Sequence, residues 1–386
     1  SPLPMRGRGP ARFPSARRRP GPSFNCPQRD PGLRRDDGLE RLARVTDTIH
    51  AREDMLPARR KGSGALRLLL SNEFGLAVLI AIAFTGFALA LPGFASPFSL
   101  FTIGRQIGID TMIGLAMMAV IVTGGLALSV GAIGVCAAMA FGWLAQSMGV
   151  PLVLAVPSAI LFGVLLGFIN GYAVVRSGVH SFIITLASMS IFFGVMVFLS
   201  KAQAFNALPP EVTALGKMRL FGKVSVLLVI TLAVCAALSL FYRFTTLGRR
   251  MLAAGANPRA AELSGIRTGR IIAACHMLTG GLAALAGLML TARTGAAVPS
   301  MAGHLGQDWL LPAFLAPVLG GTLLSGGRVS VGGTLLGAAF VTIMTSGLLL
   351  MRVGEFWILA CLGLILLLAV LTDRLRQKML RARGLI

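Results

Sequence analysis

Negative charge is scarce in this chain. It has 14 Asp and Glu among 386 residues, and only 13% of the residues carry any charge. So few charges cannot cover the surface of a soluble protein, which excludes the one large or two ordinary soluble domains this length would allow. The 36 Lys and Arg give a net charge of +22. They do not form a basic groove with interleaved aromatics, so a single-strand nucleic-acid binder is excluded. Five scattered cysteines (Cys26, Cys136, Cys235, Cys275, Cys361) have no metal-site or disulfide-framework spacing, and four fall in apolar runs where Cys acts as a small hydrophobe. No phosphate loop is present: Gly216-Lys217 is followed by Met218 and Gly222-Lys223 by Val224. The chain is therefore read as neither an ATP-binding protein nor an enzyme, with no cofactor and no metal. No succession of acids and histidines threads the apolar stretches, which weakens a proton-driven carrier.

Apolar residues make up 55% of the chain, and its mean hydropathy is +0.79. This composition predicts an all-α, polytopic transmembrane bundle. About 20 residues at 1.5 Å each cross about 30 Å of hydrocarbon. Ten stretches qualify, near 74–92, 105–123, 131–148, 151–174, 181–200, 224–242, 270–291, 308–325, 332–351 and 355–372. The least regular are the second, which holds Arg105 and Asp110, and the eighth, which ends in glycines. Basic residues crowd the segments between alternate spans and the tail, with 16 of the 36 before residue 68. That bias places both termini in the cytoplasm, as an even number of spans requires.

Residues 1–66 are rich in Pro, Arg, Gly and Asp and have almost no apolar periodicity, so they are expected to be disordered. They hold no apolar core before a small-residue cleavage site and are not read as a signal peptide. Met55 heads a more ordinary membrane-protein start, so 1–54 reads as a misplaced start or vector-derived sequence, or else as a solvated regulatory tail. The membrane portion is read as 67–386.

Small residues recur every fourth position at Gly163, Gly167 and Gly171, and again at Gly333 and Gly337. They permit close helix approach, and packing inside one protomer is the simpler reading than a subunit contact. Two glycine-rich breaks, 123–131 and 320–327, both fit Gly-Gly-x-x-Leu-Ser-x-Gly. Each is either a tight turn at the membrane surface or irregular backbone lining a solute path. Thr123, Ser129, Asn170, Thr185 and Ser188 are the candidate path residues. Of the other intramembrane polar groups, Asp110 is expected to pair with Gln106, His276 to make a structural hydrogen bond, and Asp308 to be solvated near an outer boundary.

Between spans, residues 243–270 carry six arginines. Thr246–Ala254 can form one short helix. Asn257 suits an N-cap, Pro258 a first helical position and Gly265 a C-terminal stop. The second helix is expected to expose Ala260, Ala261, Leu263 and Ser264. It is either a docking surface for a partner's groove or an ordinary interfacial loop.

These residues resemble a known family. Gly255-Ala-Asn-Pro-Arg-Ala-Ala-Glu-Leu-Ser-Gly-Ile266 is similar to the coupling motif of the ribose-permease-like group, the permease subunits of bacterial ABC importers for monosaccharides. Thr123–Gly131, Asn170-Gly171, Phe182–Leu186, Gly320-Gly-Thr322, Gly326–Arg328 and Gly333–Gly337 resemble further family landmarks, in order, over residues 75–375. Two positions depart from the pattern: Ala127 stands where the family has Asp, and Ser181 where it has Pro. The loop at 293–308 is also unusual. The resemblance implies a multi-pass inner-membrane permease, paired with a second copy or a paralogue and surrounded by membrane lipids. It implies cytoplasmic ABC ATPase subunits and a periplasmic sugar-binding protein as partners. It assigns ATPase coupling to Gly255, Asn257, Ala260, Ala261, Ser264 and Gly265. Transport of branched-chain amino acids or nucleosides, or ion-coupled carriage, are the alternatives.

Overall fold

The computed structural model describes residues 72–220 and 224–382. The expectations for 1–66 lie outside the described residues. Chain order is α1 (Asn72–Ala90), α2 (Pro97–Ile121), α3 (Val130–Gly142, running on through a π-turn at Trp143–Ser147), α4 (Leu152–Ser177) and α5 (Ser181–Ser200). A short α6 (Pro210–Lys217) and a minimal hairpin, β1 (Arg219–Leu220) with β2 (Val224–Ser225), precede α7 (Val226–Phe244). The arginine-bearing loop holds α8 (Thr246–Ala256) and α9 (Pro258–Leu263). Then come α10 (Thr268–Thr294), a 3-10 turn (His304–Trp309), α11 (Leu310–Leu319), α12 (Val331–Leu350) and α13 (Glu355–Ala382).

Eight of the ten expected spans are helices of full crossing length, and the tenth is the apolar front of α13. The eighth differs. Residues 308–325 do not form one helix: α11 has ten residues, about 15 Å or half a bilayer. The other half of that crossing is non-helical. Ala297 lies beside Gly142 at the far end of α3, and Gly306 touches Gly131 near its start. Eleven residues of helix separate those two levels, about 16 Å. The segment 297–309, expected as an outer loop, therefore descends to the middle of the bundle before α11 completes the crossing. Gly306 has φ +78° and Leu305 φ +60°, backbone that a straight helix cannot use.

α10 is the central column. Gly163 and Gly167 of α4 face Gly280 and the His276 carbonyl of α10, and Gly171 faces Ala273. Gly333 and Gly337 face Gly320 and Ala316 in the same way. Both glycine stripes thus pack within the protomer, as the simpler reading held. α2 is the buried partner of α10, with Thr279 Oγ1 donating to the Ala116 carbonyl at 2.7 Å. α1 is peripheral. Only 6% of its span is buried, against 78% for α2, although α1 is the more apolar of the two. In lipid the outermost helix needs an apolar surface on every side, whereas an interior helix can keep polar groups.

Candidate functional site

The loop between α7 and α10 forms the two expected helices. Thr245 Oγ1 accepts from the Gly248 amide at 3.0 Å and starts α8. Asn257 Oδ1 accepts from the Ala260 amide at 3.1 Å and starts α9, with Pro258 in its first turn. Ser264 Oγ donates to the Ala260 carbonyl at 2.9 Å, and Gly265 closes the turn at φ +80°. Asn257, Ala260, Ser264 and Gly265 are exposed, and Leu263 is 91% exposed. Ala261, expected on that surface, is buried at 5% and packs against the core. In a helix of six residues a single turn decides which side faces inward, and the spacing could not show it. Leu263, an exposed leucine at the tip, is the residue that the site assignment omitted.

Gly255 is also buried, for a different reason. A methyl group on it would overlap the Val122 carbonyl oxygen and lie 2.6 Å from the Gly327 nitrogen. The Gly327 amide donates to that same Val122 carbonyl at 2.9 Å. A methyl on Gly326 would lie 2.8 Å from the Gly124 nitrogen. The two glycine-rich breaks therefore meet each other, and the turn between α8 and α9 rests on both through main-chain atoms. Side chains at these positions would hold the three segments apart.

The first break is pinned by three of the candidate path residues, Ser129, Asn170 and Thr185, together with Ser181. Asn170 Nδ2 donates to Ser129 Oγ at 2.8 Å. Thr185 Oγ1 accepts from the Leu128 amide at 3.1 Å, and Ser181 Oγ accepts from the Leu126 amide at 2.8 Å. Thr123 Oγ1 donates to the Val120 carbonyl, and Ser188 Oγ to the Ile184 carbonyl. The bonds from Ser181 and Thr185 satisfy amides that the break removes from any helix, as buried main chain requires. Ser129, Asn170, Thr185 and Ser188 are buried within the protomer, and Thr123 is half-buried. Ser181 supplies one of the pins.

A polar knot lies deeper in the bundle. Gln106 Nε2 donates to Asp110 Oδ1 at 2.8 Å, the local pair expected from spacing. Thr342 Oγ1 of α12 donates to the other carboxylate oxygen at 2.8 Å, and Arg293 of α10 donates to Gln106 Oε1. These contacts join α2, α10 and α12. His276 departs from expectation: its Nε2 is buried and has no hydrogen-bond partner among the described residues. A cavity of about 630 Å³ opens between α3, α4 and α5, walled by Trp143, Phe162, Phe192 and Phe205, with hydroxyls only from Ser158 and Ser200. None of the five expected path residues lines it.

A bundle of long apolar helices, with two glycine-rich breaks tied to a surface helix pair, defines a multi-pass transport permease of the inner membrane. Residues 99–371 match the family described as "Branched-chain amino acid transport system / permease component", and the chain belongs to that family. It is 35% identical to the ribose import permease of Bacillus subtilis over 79% of this chain and 92% of that protein. It is 32% identical to the fructose import permease of Rhizobium meliloti, over 78% of this chain and 85% of the relative. It is 30% identical to the xylose transport system permease of Haemophilus influenzae, over 78% and 96%. No solved structure matches the chain.

Proposed function

We propose that this chain is the membrane-spanning permease subunit of an ATP-binding cassette importer for a monosaccharide. A separate ATPase powers it, a periplasmic binding protein feeds it, and it works as a pair with a second copy or a paralogue. The observation that carries this reading is the α8–α9 loop. It offers a short docking helix outward and rests on both glycine-rich breaks inward. ATP-driven closure of the ATPase subunits pushes on Asn257, Ala260, Leu263, Ser264 and Gly265. Gly255 passes the displacement to residues 122–129 and 322–328, where the backbone is not locked into a helix and can rearrange. The basic loop sits in the cytoplasm together with both termini. Ser129, Asn170 and Thr185 hold the first break in shape as the path opens and closes.

The sugar class rests on the relatives, whose names give ribose, fructose and xylose. The family description, which names branched-chain amino acids, favours a second reading. The test is uptake by proteoliposomes that hold this chain with the ATPase and binding protein encoded beside it. Labelled D-ribose, D-xylose or D-fructose should accumulate only with internal ATP. Accumulation of leucine instead, or sugar uptake without ATP, rules the proposal out.

A further inference from the structure

Three polar side chains lie where a membrane protein has no ordinary use for them. His304, Gln307 and Asp308 are exposed on the non-helical half of the eighth crossing. Their depth is set by neighbours. The His304 ring stacks 5.6 Å from that of Phe193, twelve residues into α5. Gly306 touches Gly131 at the start of α3, and the Trp309 ring lies against Gly134. The Phe193 contact places His304 about 18 Å along α5, past its middle, while Gly306 and Trp309 lie against the first turns of α3. A methyl on Gly303 would strike the Asp308 carboxylate, so the glycine lets that carboxylate fold back over the main chain and hold its place. No cation pairs with Asp308 among the described residues, and no hydrogen bond engages the Gln307 amide or the His304 ring.

An unpaired carboxylate at this depth is too costly to face lipid. Non-helical main chain at this depth is tolerated where protein covers it or water reaches it. We infer that residues 303–308 form the solute-binding wall of the transport path, with Asp308, Gln307 and His304 gripping a neutral polyhydroxylated solute. The inference rests on the sugar reading of the preceding section. The carboxylate accepts from two neighbouring hydroxyls, and the amide both donates and accepts. The exposed His304 ring, backed by buried Phe193, offers its face to ring C–H groups. The apolar cavity among α3, α4 and α5 has no comparable set of hydrogen-bonding groups. Of the expected path residues, Ser129 and Asn170 bond each other and Thr185 holds the Leu128 amide.

The test is thiol accessibility in the assembled importer in lipid. Cys26 and Cys361 are replaced by serine, while the buried cysteines stay. Gln307→Cys and Asp308→Cys are compared with Ile82→Cys, which is 68% exposed at the middle of peripheral α1. A charged, water-borne thiol reagent should modify both path cysteines at least about tenfold faster than the lipid-facing one, because only a hydrated thiol ionises. Whichever of D-ribose, D-xylose or D-fructose the unmutated importer carries should slow that reaction. Rates equal to that of Ile82→Cys, as lipid or a second copy covering the surface would give, overturn the inference. So does a fast reaction that the carried sugar leaves unchanged. In parallel, Asp308→Asn should cut maximal uptake about tenfold or more, the loss of a hydrogen bond to a charged group. Half-saturation should be unchanged because the binding protein sets it, and the ATPase should still co-purify. Undiminished maximal uptake by Asp308→Asn counts against the inference. If the unmutated importer carries none of the three sugars, the sugar reading and the polyhydroxyl assignment fall together. The labelling rate then still separates a hydrated path from a covered surface.

Discussion

Asn170 donates from its side-chain amide to the Ser129 hydroxyl at 2.8 Å, joining the lower part of α4 to the first residue past the broken segment 122–128. Replacing it with leucine removes the donor from a site sealed from water. Asn170→Leu should therefore lose about 1–3 kcal/mol, the cost of stranding a buried polar partner. In detergent that is a fall in melting midpoint of about 2–4 °C per kcal/mol, read by a thermal-shift assay. An unchanged midpoint would show that the bond does not hold the break.

Gly255→Ala should separate docking from transport. The added methyl has no room between the Val122 carbonyl and Gly327, so the turn must lift away from both breaks. Co-purification of the ATPase should be normal, since the outward surface of α9 is untouched. ATP-dependent uptake should fall about tenfold or more, given the 1–3 kcal/mol typical of forcing a group into a full site. Uptake at the unmutated rate would break the proposed mechanical link.

Leu263 is the tip of the docking surface. Leu263→Glu should weaken ATPase association by about 1–2 kcal/mol, as loss of an apolar anchor does at protein interfaces. Leu263→Met should be close to neutral. Retention of the ATPase on detergent-solubilised permease in a salt-controlled pull-down reads the difference.

Two glycines make opposite predictions for stability. Gly167→Leu drives a side chain into the His276 carbonyl and should open the α4–α10 contact, leaving little folded protein by size-exclusion profile. Gly194 of α5 has nothing within 4 Å of an added methyl. Gly194→Ala should stabilise by about 0.5–1 kcal/mol through helix propensity, raising the melting midpoint slightly.

Hydropathy made most of the bundle legible, because a crossing helix must be apolar whatever it touches. For the same reason it could not say which helices are interior: α1 and α2 both read as spans, yet one is nearly bare and the other enclosed. The eighth crossing was read as a helix because 308–325 is apolar enough. Gly303, Gly306 and Pro299 upstream were the available signs of an unwound stretch, and they fell in what looked like a loop. Asp308 was misplaced with it. In the coupling loop, the caps at Asn257, Pro258 and Gly265 were readable because each answers a local demand of the main chain. The meeting of Gly255 with Val122 and Gly327 depends on segments more than 70 residues away, which local pattern does not encode. The Gln106–Asp110 pair was readable as neighbours one helical turn apart. Its Thr342 and Arg293 partners were not.

Glu73 near the start of α1 accepts a hydrogen bond at 2.6 Å from Ser330, which caps α12. Phe87 packs on Gly347 further along the same pair. These neighbours are separated by 257 residues. At a ribosome speed of about 5–20 residues per second, α1 waits on the order of tens of seconds for the helix it leans on. During that wait it must stay inserted unaided, which the unbroken oiliness of its whole circumference allows. A nascent chain stalled before α12 would leave α1 stranded in the bilayer, where quality-control proteases could reach it.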